Sequence, residues 1–174
     1  MQCDHVNNKV INSSSDSLFQ NVQWIILEEC AVEKSFPNDY QCNPRLQSVV
    51  RVKLLGTGGS VSGDYSAVLG YLSQCTSVID LEILDTSLRQ IMRLESCAAL
   101  QSLRLTNNLI AELQIEDFQA LTKLRVLDLA RNKLVRIPSR VFTNNRRLSR
   151  LCLARNIISF ITRQSFLGKI LFMS

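Results

Sequence analysis

Three segments in the second half of the chain superimpose at a spacing of 24 residues. Leu100, Leu103, Leu105, Asn108 and Ile110 recur as Leu124, Leu127, Leu129, Asn132 and Leu134, and again as Leu148, Leu151, Leu153, Asn156 and Ile158. Each set continues with an apolar residue three positions on (Leu113, Ile137, Ile161) and later a phenylalanine (Phe118, Phe142, Phe166). Seven coincident positions in three successive copies restrict the chain to architectures built by repetition. No copy is long enough to close a core of its own, so neighbouring copies must stack and share one.

The chemistry of each position follows from this stacking. Apolar residues at positions 4 and 6 alternate with outward ones, the period of a short strand with one buried face. Stacked copies then pair in parallel along one side of a solenoid. The asparagine at position 9 turns the chain inward, where its amide can satisfy backbone groups at the bend. Asn108, Asn132 and Asn156 are therefore expected to form a ladder between coils, with the phenylalanines filling the opposite half.

The pattern continues upstream in weaker form. Val78, Leu81, Ile83, Thr86, Leu88 and Ile91 occupy the same positions with threonine replacing asparagine, and Val49, Val52, Leu54 and Thr57 do so more loosely. Val22, Ile25, Leu27, Cys30 and Val32 fit again, with cysteine at position 9. Six repeats are expected, 22–48, 49–77, 78–99, 100–123, 124–147 and 148–171, after a flank at 1–21. Residues 172–174 would open a seventh, which leads us to expect a partial product with a bare C-terminal edge.

The pattern L-x-x-L-x-L-x-x-N-x-L, followed by Ile137-Pro138-Ser139-Arg140-Val141-Phe142 in one copy and Gln114-Ile115-Glu116-Asp117-Phe118 in another, resembles the typical 24-residue class of leucine-rich repeat. That resemblance spans residues 22–171 and is strongest over 78–171. It implies an α/β solenoid: a right-handed horseshoe with a parallel β-sheet on the concave face and short helices or irregular segments on the convex face. The class populates Toll and Toll-like receptor ectodomains, other cell-surface recognition proteins and secreted insect immune proteins. An extracellular setting and a non-catalytic binding role are what the resemblance implies. An intracellular scaffold with the same fold is the alternative.

Other features limit the chemistry. The single histidine, His5, precedes the repeats, so neither a histidine-centred active site nor a histidine metal cage is expected, and no cofactor. Gly56–Gly63 has the look of a phosphate-binding turn. However, Asp64 follows Gly63 where a P-loop needs lysine, and Val61 stands where a dinucleotide-binding turn needs glycine or alanine. No stretch approaches the roughly 18 apolar residues of a membrane span, and Met1–His5 opens without the basic and apolar regions of a signal peptide.

The six cysteines contain no C-x-x-C pair. Cys75 and Cys97 each precede a repeat start by three residues, so they occupy equivalent places in adjacent coils, about 5 Å apart and within reach of a disulfide. Cys30 could bridge to Cys42 or Cys3; the alternative is that all stay reduced. Cys152, between Leu151 and Leu153, should point out of the sheet, which fits either intermolecular pairing or simple tolerance. Asn12-Ser13-Ser14 is the one N-glycosylation sequon, in a polar run.

A solenoid binds through the surface it presents. The outward strand residues at position 3 are Trp24, Arg51, Asp80, Ser102, Val126 and Arg150, and at position 5 Ile26, Lys53, Glu82, Arg104, Asp128 and Cys152. Position 8, read as a further outward position, holds Glu29, Gly56, Asp85, Asn107, Arg131 and Arg155. Asp80, Glu82 and Asp85 would form an acidic stripe in one coil, and Arg131, Arg150 and Arg155 a basic one in the last two coils. This mirrors the whole chain: residues 1–87 carry 5 Lys/Arg against 10 Asp/Glu (−5), and residues 88–174 carry 15 against 5 (+10). A protein partner is expected on this face, steered by charge. Trp24 and Ile26 are either covered by the first 21 residues or a contact hot spot. Arg146, Arg147 and Arg150, with Arg136, Arg140 and Arg155, point to anionic glycans or a microbial ligand. Nucleic acid is not expected, because aromatics do not interleave with these bases. Self-association through the C-terminal edge or Cys152 is a further expectation.

Overall fold

The alternating apolar residues form strands in the computed structural model, which describes residues 24–28, 51–55, 76–91, 94–166 and 172–173, the first and last of these as backbone alone. The N-terminal flank with Cys3 and Asn12, the cysteines Cys30, Cys42 and Cys75, the Gly56–Gly63 turn and the side chains of Trp24 and Ile26 lie outside the described residues.

Seven strands make one parallel sheet: β1 (Trp24–Glu28), β2 (Arg51–Leu55), β3 (Asp80–Leu84), β4 (Ser102–Arg104), β5 (Val126–Asp128), β7 (Arg150–Cys152) and β9 (Phe172–Met173). They follow one another in chain order across the sheet, each coil contributing one strand. The register pairs Trp24 with Arg51, Arg51 with Asp80, Asp80 with Ser102, Ser102 with Val126, and Val126 with Arg150. Equivalent residues of successive repeats thus stand side by side. Val52, Leu54, Leu81, Ile83, Leu103, Leu127 and Leu151 turn inward and are buried. They join Leu105, Leu129 and Leu134 in one continuous core.

The convex side is less regular. It holds a single-turn helix, α1 (Glu116–Gln119), a 3-10 turn at Arg163–Phe166, and a small second parallel sheet of β6 (Arg136–Ile137) and β8 (Phe160–Ile161). The helix and the turn match the expected convex elements. The second sheet is an addition: Val135-Arg136-Ile137 and Ser159-Phe160-Ile161 are 24 residues apart and extended, so stacking places their backbones side by side. Inside, Phe118, Phe142 and Phe166 form a spine, with ring centroids 5.4 Å and 6.2 Å apart.

The asparagines close each bend. The Asn108 amide donates to the carbonyls of Leu105 and Thr106 in its own coil and of Ile83 in the preceding one. Its Oδ1 accepts from Thr86 N, Thr86 Oγ1 and Leu88 N, so threonine at the asparagine position still supplies a rung. Asn132 repeats the arrangement with Leu105, Leu129 and Ala130 carbonyls and Ile110 N, and Asn156 with Leu129, Leu153 and Ala154 carbonyls and Leu134 N. Each rung ties a coil to the one before it.

Candidate functional site

The surface that the repeats build is the outward face of the large sheet. Along position 5 the charges alternate: Lys53, Glu82, Arg104, Asp128, then Cys152. Lys53 Nζ lies 3.5 Å from Glu82 Oε2, and the Arg104 guanidinium donates to Glu82 Oε1, so one carboxylate is shared by cations from both neighbouring strands. Along position 3, Arg51 Nε lies 3.9 Å from Asp80 Oδ2. Asp128 Oδ1 accepts from Ala130 N just beyond its own strand.

These contacts revise the expected acidic stripe. Asp80 and Glu82 are adjacent in sequence pattern, but the register brings Arg51 from the preceding strand against Asp80, and Lys53 and Arg104 from the two neighbouring strands against Glu82. The face is therefore a lattice of alternating charge across β2–β5 rather than a dipole. Exposed pairs of this sort contribute little stability each, about 0–1 kcal/mol. Their consequence is positional, because the strand register fixes which charge stands beside which.

Position 8 is a second correction. Asp85, Asn107, Arg131 and Arg155 do not stand on the strand face; each follows the strand in a left-handed turn, with φ between 55° and 58°. The conformation is unfavourable for arginine, and the stack compensates. Asp85, Asn107 and Arg131 each donate their N–H to the carbonyl one residue earlier in the next coil, Thr106, Ala130 and Ala154, at 3.3, 3.0 and 2.8 Å. The Asp85 carboxylate accepts from the Asn107 amide. Asp85, Arg131 and Arg155 thus form the rim where strands end, beside a shallow polar cavity of about 290 Å³ that Ser87 and Lys133 also line.

Of the predicted residues, the structure gathers Arg51, Lys53, Asp80, Glu82, Arg104, Asp128, Arg150 and Cys152 on one face. The backbone of Trp24 sits at the same position 3, opposite Arg51. Cys152 is a half-buried free thiol on that face. Cys97 is buried where Leu121 and Asn145 stand in the following coils. Asn145 escaped sequence reading: fully buried, it donates to the carbonyls of Phe118 and Leu121 at 2.8 Å each, a second asparagine anchor on the other rim. Its only sequence signal is a polar residue at a position where the preceding coils have Cys97 and Leu121.

A one-strand-per-coil parallel sheet whose bends at Asn108, Asn132 and Asn156 each carry an asparagine rung is the leucine-rich repeat architecture. The family described as Leucine rich repeat matches residues 98–158 and 122–168. Among curated proteins, the chain is similar to Leucine-rich repeat-containing G-protein coupled receptor 5 of Rattus norvegicus, 36% identical over 88 residues. That match takes in 49% of this chain and 10% of the receptor, so the chain spans about a tenth of that relative's length.

Solved structures share the fold. The glycosylated Toll–Spatzle complex, described as a molecular hub in Drosophila development and innate immunity, aligns over 72% of this chain and 16% of its own, with a TM-score of 0.60 and 18% identity. The TLR13–ssRNA13 complex aligns over 71% and 21%, with a TM-score of 0.53 and 19% identity. Among the described residues, no helix is long and apolar enough to cross a membrane and no group of side chains could hold a metal ion.

Proposed function

We propose that the chain is a non-catalytic recognition module that docks a protein partner on the outward face of its sheet. The observation that carries this is the ordered charge lattice of Lys53, Glu82, Arg104 and Asp128 with Arg51, Asp80 and Arg150 beside it. A rigid face with alternating charges specifies its complement by position, since a wrongly placed like charge costs several kcal/mol.

The setting we propose is extracellular, in an immune-type recognition protein. Its support is the repeat class, the sequon at Asn12 and the likeness to Toll and to the G-protein coupled receptor named above. The intracellular scaffold is the other reading of the same fold. The exclusion of nucleic acid rests on this chain's own residues, not on the fold, since one neighbour is described in complex with single-stranded RNA.

Two measurements test the proposal. A photocrosslinker at Val126, on the sheet face, should capture a partner that the same group at exposed Ile115, on the convex side, does not. Equal capture at both, or none at Val126, refutes docking on the sheet. Mass spectrometry of secreted, non-reduced protein should show at least one disulfide and a glycan on Asn12. Six free thiols would refute the extracellular setting.

A further inference from the structure

Among the described residues, a dense cluster of positive charge lies off the sheet face, on the rim where the strands begin. The β5–β7 register sets Val126 against Arg150 and therefore Arg125 beside Ser149. The 24-residue spacing sets Lys123 beside Arg147 and Thr122 beside Arg146. Lys123, Arg125, Arg146, Arg147 and Arg150 are all exposed, on two coils about 5 Å apart.

The backbone under them is fixed. Asn145 ties the second coil to Phe118 and Leu121 immediately before Arg146, and Ser149 N and Arg150 N both donate to Arg125 O, at 2.9 and 3.0 Å. None of the five cations is in an ion pair among the described residues. No carboxylate occurs in 98–103, 120–127 or 144–151, the segments that build this rim. One coil upstream the equivalent residues are Ala98, Ala99 and Gln101, so the patch has a sharp edge.

The patch presents only cations and small polar residues outward, whereas the sheet face carries half-buried Val126 and Cys152 among its charges. The exposed large apolar residues of the described chain are Ile115, Val135, Ile157, Phe160 and Ile161, and none belongs to this rim. A protein interface is anchored by buried aromatic or aliphatic side chains, and single-stranded nucleic acid needs aromatic platforms for its bases. The cavity beside Asp85 and Lys133 is lined by none of the five residues, all of which stand on open surface. What fits is a flexible polymer with dense, outward anionic groups and no apolar content. Four of the five cations are arginines, whose planar fork matches the oxygens of sulfate and carboxylate.

We infer that this rim is a binding site for a sulfated polysaccharide, formed by Lys123, Arg125, Arg146 and Arg147, with Arg150 at its corner with the sheet. It goes beyond the protein-docking face and stands whether or not a protein binds there. The expected arginine set is also redrawn. Arg136 is on the convex second sheet and Arg155 on the opposite rim, so neither belongs to the site.

The test uses the full chain and four fluorescent probes at about 0.15 M salt, where long-range attraction is screened. The probes are a heparin oligosaccharide, the same oligosaccharide desulfated, a polyuridine oligonucleotide and a polyglutamate peptide of similar charge. Heparin should bind tightest and the desulfated form at least about tenfold more weakly. Replacing all four rim residues (K123Q, R125Q, R146Q, R147Q) should weaken heparin binding about tenfold or more and flatten its salt dependence. The pair R136Q and R140Q should change it less than about twofold. The singles R125Q and R147Q, checked for an unchanged melting temperature, should each give part of the loss and carry the test if the quadruple variant is unstable. No heparin binding by the natural chain, equal loss from the R136Q/R140Q pair, equal binding of the desulfated probe, or tighter binding of polyuridine or polyglutamate would each overturn the inference.

Discussion

Replacing Asn132 with alanine tests whether the asparagine rungs hold the coils together. Asn132 is buried and makes four hydrogen bonds: it accepts from Ile110 N at 3.1 Å and donates to the carbonyls of Leu105, Leu129 and Ala130 at 2.9, 3.1 and 3.2 Å. In the variant the three carbonyls keep another donor each, from Asn108, Asn156 and Asn107 N. Their loss should therefore come near the low end for a net hydrogen bond, about 0.5 kcal/mol apiece. Ile110 N keeps none, and a buried orphan donor costs about 1–3 kcal/mol. The sum is about 2.5–4.5 kcal/mol. Asn156 makes the equivalent bonds but is half-buried, so water can replace some of them, and N156A should cost about 1–2 kcal/mol. Urea unfolding followed by circular dichroism measures both, and amide exchange at Ile110 should accelerate in N132A alone. A loss below about 1 kcal/mol for N132A, or a larger loss for N156A, would show that the rungs do not carry this share.

The remaining predictions concern the spine, the face and the thiols. Phe142→Ala should destabilise by about 3–5 kcal/mol in the same unfolding assay, because Phe142 is buried between two rings; Phe166→Ala, half-buried at the end of the spine, should cost clearly less. Glu82→Gln should change stability by less than about 1 kcal/mol while freeing Lys53 and Arg104, so any partner docked on the sheet should dissociate faster, as read by surface plasmon resonance. Ser102→Ala should leave the unfolding midpoint unchanged or raised, because Ser102 Oγ is buried with no hydrogen-bond partner among the described residues. A maleimide should label half-buried Cys152 in the native protein, as peptide mass spectrometry would show; no labelling before unfolding would contradict its exposure.

The strands, their parallel stacking, the asparagine rungs and the phenylalanine spine were legible in the chain because stacking converts spacing into position. A residue at the same place in each repeat must stand beside its equivalents, so Leu103, Leu127 and Leu151 could be placed without coordinates, and so could Lys53, Glu82 and Arg104. What surrounds those side chains was another matter. Asp80 and Glu82 look like an acidic stripe when one coil is read alone, and only contact with Arg51, Lys53 and Arg104 turns them into a lattice. Arg131 and Arg155 look like further residues of the face, yet strict alternation would put position 8 with the buried positions 4 and 6; the strand ends first, and the left-handed turn moves them to a rim. Lys123, Arg125, Arg146 and Arg147 are scattered over 25 residues of sequence and become one patch only when two coils stack and Asn145 pins the second to the first. Periodicity alone determined which residues are inside and which are neighbours, since burial and register both follow the repeat. Which charges neutralise one another and which are left to face a ligand depends on distances between coils, and those exist only in the folded stack.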